Sequence, residues 1–185
     1  MSTSPQHWMS WEGGVDLVAC TQPGLAMPNI IVHLARLVHT PVGSAPSGIV
    51  FYQPDPSAPP AVIGFVSTDP KVGAYFGPKI FAGTPFEQAP VLPAKIEITT
   101  GSDFVGATIT VGSHTFRTRL SGLGQLELVQ RAPAAMTPFT QQGLEATAAK
   151  AQLWVNDVEI PLLIPPVGIS GGPAAVSSPT GLYAR

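Results

Sequence analysis

The sequence predicts an all-β, mainly antiparallel single domain, a β-barrel or β-sandwich, with one short helix in its C-terminal half. Three observations lead there. Two segments alternate apolar and polar residues around two-residue turns. Further β-rich runs are short and punctuated by Gly, Pro, Ser or Asp, as in sandwiches and barrels. Gly and Pro, at 19 and 21 of 185 residues, make up more than a fifth of the chain, against about 12% in ordinary proteins.

The first fourteen residues hold Trp8 and Trp11 in a short polar lead-in, and residues 1–14 are expected to form an arm that docks on the domain or on a neighbouring subunit. Residues 15–164 are expected to form the β-rich domain. Within it, Asn29–Thr40 has apolar residues at 30, 31, 34, 37 and 38 that suit a helical face. Its β-branched run Ile30-Ile31-Val32 and the extended backbone that Pro41 imposes on Thr40 favour a strand, the reading adopted. As a regular strand it would put His33 and His39 on one face, about 20 Å apart, too far to share a metal ion. Strands are expected at Gly48–Gln53, Ala61–Ser67, Ala94–Thr100 and Gly122–Arg131.

The two hairpins are the clearest elements. In Thr108–Arg119 a turn at Gly112-Ser113 pairs Val111 with His114, Ile109 with Phe116 and Thr108 with Arg117, leaving one face apolar and the other polar. In Ala151–Leu162 a turn at Asn156-Asp157 puts Leu153, Val155, Val158 and Ile160 on the buried face, with Trp154 opposite Glu159. Pro161 cannot donate to a ladder, so that strand ends there or lies along an edge. Thr140–Lys150 carries Gln, Leu, Glu and Ala, strong helix formers, and is expected to be the helix. Residues 165–185, rich in Gly, Pro and small side chains, read as a second arm.

Charge narrows the function classes. Only 11% of residues are charged and the net charge is −2, so no basic surface is available for a nucleic-acid backbone. No run approaches the roughly 18 apolar residues of a membrane span, and residues 1–8 lack the features of a signal peptide. A cytoplasmic or particle-associated protein is expected. Cys20 is the lone cysteine, which leaves no intramolecular disulfide and no thiolate zinc site.

No catalytic, metal or cofactor residue stands out. Gly168-Ile-Ser-Gly-Gly172 satisfies the G-x-S-x-G pattern of a nucleophile elbow. No helix is expected after it, and no Asp, Glu or His follows Ser170, so it reads as a tail loop. The segment Gly73–Phe86 gathers Tyr75, Phe76, Phe81 and Phe86 in a Gly/Pro frame and reads as a loop whose rings plug the domain or meet a ligand or subunit. Trp8, Trp11, Tyr75, Phe76, Phe81, Phe86 and Trp154 are therefore the candidate ligand or interface residues.

A monomer with so few charges is poorly dispersed, and this favours a surface covered by other subunits. The first expectation is a non-catalytic structural or interaction protein, self-assembling or part of a larger particle as a coat, decoration or tail component. The alternative is a β-barrel or sandwich binding a small ligand or glycan. The third is an enzyme whose site sequence spacing does not reveal. The partners expected are copies of the chain or other subunits, with no nucleic acid and no cofactor.

Overall fold

A computed structural model describes residues 6–135 and 137–185. The chain is all-β with one helix among the described residues. Eleven strands run in the order β1 (Trp8–Ala19), β2 (Ile30–Thr40), β3 (Gly43–Tyr52), β4 (Val62–Ser67), β5 (Val91–Thr100), β6 (Phe104–Val111), β7 (His114–Leu123), β8 (Glu127–Arg131), β9 (Thr140–Val155), β10 (Val158–Glu159) and β11 (Ala175–Ala184). The helix α1 (Pro70–Ile80) lies between β4 and β5. Hydrogen bonds run in a closed ring through β9, β11, β1, β2, β3, β4, β5, β6 and β7 back to β9, with β8 and β10 as further partners of β9. Every pairing is antiparallel except β4 with β5, the pair that α1 connects. The ring is irregular rather than a regular barrel.

Both hairpins adopt the register that their turns dictate. Val111 pairs with His114 and Ile109 with Phe116, and Gly112 supplies the positive φ of 56°. Asn156 and Asp157 take φ of 49° and 65°, as a type I′ turn requires at both positions. Beyond that turn β10 is only two residues long, and Val158, expected inside, is 64% exposed.

Several expectations are overturned. Thr140–Lys150 is the first part of the sixteen-residue strand β9, not a helix. Its backbone pairs with β11 on one edge and with β8, then β7, on the other. That long-range pairing outweighs helix propensities worth a few tenths of a kcal/mol per residue. The helix lies instead in the Gly/Pro segment. Asp69 caps it, its Oδ1 accepting from Lys71 N–H at 2.8 Å, and Pro70 stands in the first turn. Val72, Phe76 and Ile80 form one buried stripe. The glycines that make the segment look like a loop are packing requirements: a Cβ on Gly77 would overlap the Phe65 ring, and one on Gly73 would lie 2.7 Å from Val91 Cγ1.

The two expected arms are strands at the centre of the sheet. Trp8–Leu17 of β1 pairs with Ala175–Ala184 of β11, and the backbones of His7 and Arg185 exchange hydrogen bonds at 3.0 and 2.8 Å. Residues 1–5 of the first arm lie outside the described residues.

Two cores result. The interior of the ring holds Val15, Leu17, Val32, Leu34, Ile109, Phe116, Leu120 and Leu153. Outside the ring wall, α1 and the chain after it cover Met9, Trp11, Ala35, Val38, Ile49, Phe65, Phe139 and Tyr183. Trp11 and Val15 are four residues apart on β1, yet face different cores; Leu34 and Val38 on β2, and Ala175 and Tyr183 on β11, do likewise. Alternation would keep each pair on one face. The faces change at one transverse row, where Pro179, Gly13 and Arg36 fall between paired residues. Gly13 has φ of 64° there. The pairings of β2 with β3 and of β11 with β9 slip register at the same level, the signature of bulges. The same row places His33 and His39 on opposite faces, contrary to the regular strand expected.

Candidate active site

The row of bulges lets residues of either sequence parity reach one buried chamber beneath α1. Met9, Trp11, Gly14 and Asp16 come from β1, His33, Ala35 and Val38 from β2, Gln141 and Glu145 from β9, Ser178 and Tyr183 from β11, and Phe76 and Phe81 from α1 and its end. The cavity among them is about 20 Å³, room for a single water molecule. A neighbouring void of about 10 Å³ shares Asp16, His33, Phe81 and Tyr183 and is closed by Thr137, Ile169 and Ser170. Those three residues also line an open cleft of about 510 Å³ with Arg131 and Ala132. One thin wall thus separates solvent from the chamber.

The polar groups are few and concentrated. Asp16 sits in the apolar run Val15-Asp16-Leu17-Val18 and is buried. Its Oδ1 lies 3.4 Å from His33 Nδ1, an ion-pair contact, and accepts no hydrogen bond. Burial alone would lower the His33 pKa, but the charge of Asp16, its contact with the ring and the charge of Glu145 together outweigh burial and raise it above 6.5. Across the chamber Arg131 grips Glu145 with two bonds, of 2.6 and 2.7 Å, the bidentate geometry that suits a guanidinium to a carboxylate. Gln141 Nε2 donates to the same carboxylate at 2.9 Å, and its own Oε1 is buried without a partner. The bond to Glu145 is the main reason the Arg131 pKa rises, so the guanidinium stays charged.

Tyr183 forms the floor. Its ring stacks over His33 with centroids 6.3 Å apart and packs on Trp11 at 4.5 Å and Phe139 at 4.3 Å. Burial first, then the charges of Asp16 and Glu145, push its hydroxyl far above the ordinary tyrosine range. It remains a neutral phenol. Trp11 is held by Nε1–H donating to Ser178 Oγ at 3.0 Å. It lies in a trough of glycines, where a Cβ on Gly181 would overlap the indole.

Of the residues singled out from sequence, Trp11, Phe76 and Phe81 meet in the chamber. The others do not. Trp8 is 37% exposed at the start of β1. Tyr75 lies under Lys79, whose Nζ is 4.2 Å from the ring centroid. Phe86 packs between Phe51 and Phe81, and Trp154 is covered by the Arg117 guanidinium at 4.1 Å on the outer face of β9. His39 bonds Glu12 at 3.0 Å and Ser44 at 2.8 Å on the solvent side. Sequence reasoning missed Asp16, His33, Arg131, Gln141, Glu145 and Tyr183. One signal was present: in a chain this poor in charge, Asp16 and His33 each interrupt an apolar strand.

No family model matches the chain, and no curated protein matches it. Among solved structures it is similar to the crystal structure of acetoacetate decarboxylase from Legionella pneumophila. The two are 12% identical, with a TM-score of 0.42, over 100% of this chain and 88% of that one. The expectation of a non-catalytic structural or assembly component is corrected on the fold: the two arms that were to supply its contacts are central strands, and the aromatic segment is a helix packed on the sheet. Among the described residues, no helix is long and apolar enough to cross a membrane.

Proposed function

We propose that this protein is an enzyme that moves a proton on a small, uncharged organic molecule, with His33 as the acid–base group and Asp16 orienting it. The observation that carries this reading is the Asp16–His33 contact of 3.4 Å, between a buried carboxylate and a half-buried imidazole in a largely apolar chamber one wall away from an open cleft. A histidine whose Nδ1 faces a carboxylate leaves Nε2 for a reactant, and imidazole is the side chain best suited to general acid–base work near neutral pH.

Charge selects the substrate class. With both carboxylates ionised, Asp16 and Glu145 are balanced by Arg131 and a protonated His33. With His33 neutral the chamber carries one net negative charge. An anionic substrate would add to that imbalance in a low-dielectric site, so a neutral molecule with apolar groups suits Trp11, Phe76 and Phe81. Among the described residues no lysine lines either void, so imine formation with a carbonyl compound lacks its usual amine there.

The test is turnover of a panel of small neutral esters, lactones and ketones followed by proton NMR, with His33→Gln as the comparison. At least one compound is expected to react, with a loss of about 100-fold or more in the variant and an unchanged circular dichroism spectrum. A panel in which no compound shows His33-dependent turnover would overturn the reading.

A further inference from the structure

The motif Gly168-Ile-Ser-Gly-Gly172 has no acid or histidine downstream in the chain, but the fold brings both to it from upstream. Ser170 lines the 10 Å³ void together with His33 and Asp16, a space no larger than one water molecule. Ser170 also lines the open cleft, so it borders both solvent and the void that His33 and Asp16 line. Its loop is a closed turn: Gly168 N–H donates to Gly172 O at 2.7 Å and Gly171 N–H to Gly168 O at 3.2 Å. Gly171 takes φ of 81°, a backbone conformation that favours glycine. The permanent cation Arg131 stands against this turn, since a Cβ on Gly172 would fall on its guanidinium.

We propose that Ser170 is a nucleophile served by His33 and positioned Asp16, and that the protein hydrolyses small neutral esters. This rests on the acid–base reading of His33 above. Ser170 Oγ attacks the ester carbonyl while His33 Nε2 takes the hydroxyl proton. The carbon–oxygen bond to the alcohol breaks, and the alcohol leaves with that proton. Water then attacks the acyl-serine, its proton passing to His33; the carboxylic acid departs and His33 returns the proton to Ser170. The sum is ester plus water to acid plus alcohol. Asp16 acts through His33, holding its Nδ1 side, and the negative charge that develops on the carbonyl oxygen forms on the side of the cleft that carries Arg131. The order Asp16, His33, Ser170 along the chain is immaterial, because such constellations are defined by geometry rather than sequence position.

The experiment treats the full chain with an alkyl fluorophosphonate, which loses fluoride to an activated serine, and locates the adduct by peptide mass. Phenyl acetate hydrolysis is followed in parallel for the unmutated protein, Ser170→Ala and His33→Gln. The expected result is one adduct on Ser170, absent in Ser170→Ala and formed at least about 100-fold more slowly in His33→Gln, with hydrolysis lost in both variants. Ser170 lies in a half-buried loop, so its removal leaves the fold intact. Hydrolysis that survives Ser170→Ala but not His33→Gln, with no adduct, would overturn the nucleophile and leave the acid–base reading standing. No adduct and no His33-dependent turnover of any panel compound would overturn both.

Discussion

Gly77→Ala sets two effects of opposite sign against each other. Gly77 lies inside α1 with ordinary helical backbone, so an alanine there gains about 1 kcal/mol of helix propensity. The added methyl, however, would fall within the ring of Phe65. Phe65 is fully buried, and its ring is fixed between Phe76 and Phe81 at centroid distances of 5.5 and 5.8 Å. Overpacking a site with no slack costs about 1–3 kcal/mol. The steric effect therefore wins by up to roughly 2 kcal/mol, which lowers Tm by up to roughly 8 °C in a chain of this size. Scanning calorimetry of Gly77→Ala, Phe65→Leu and the double variant measures it. Trimming the ring removes the obstacle, so Gly77→Ala should be neutral or stabilising in the Phe65→Leu background. A higher Tm for Gly77→Ala alone would refute the packing argument, and with it the claim that these glycines exist to seat the helix on the sheet.

Asp16→Asn removes the nearby charge that raises His33, so the imidazole pKa should fall, as read by NMR titration of its ring protons with Glu145, Tyr183 and Arg131 still facing it. Because the folded pKa exceeds 6.5, protonated His33 contributes stability that is complete below about pH 6.5 and is lost as pH rises through the folded value; urea melts across that window should show a flatter pH dependence for Asp16→Asn, and an unchanged slope would refute the pairing. Glu145→Gln strips a buried partner from Arg131, whose side chain is only 19% exposed, and should cost about 3 kcal/mol in urea unfolding. Replacing both by Arg131→Met and Glu145→Leu should recover most of that loss. Gly13→Ala forces a side chain into φ of 64° with its Cβ 3.0 Å from Arg36 Cβ, and should cost more than Gly24→Ala, which has φ of 79° and open space; equal thermal shifts would show that strain alone matters there.

The legible parts of this fold are those specified locally. A two-residue turn fixes the register of its own hairpin, which is why Val111 opposite His114 follows from Gly112-Ser113 alone. β9 is not local in that sense. Its Gln, Leu, Glu and Ala residues carry helix propensity, while the strands that flank it on either edge come from far off in sequence, 29 residues for Val176 against Thr147 and 39 for Phe116 against Val155. In α1 the misleading signal ran the other way, because Gly73 and Gly77 lower propensity in order to let helix and sheet approach. The site was hidden for a related reason. Asp16 and Glu145 are separated by most of the chain, and no spacing rule links them; a row of bulges does, by turning residues of both parities toward one chamber.

The pairing of β1 with β11 also imposes an order in time. β11 lies between β9 and β1, so the ring cannot close between the wall that carries Glu145 and the wall that carries Asp16 and His33 until residues 175–184 have been synthesised. A nascent chain ending at residue 170 possesses every polar group of the chamber except Tyr183 and Ser178, yet it has an open ring and two unpaired strand edges, of the kind that template aggregation. Ring closure is a long-range event of the slow class, and the chamber appears with it. Cotranslational folding of this protein should therefore yield a partly built sheet first, and a competent chamber only after release of the closing strand.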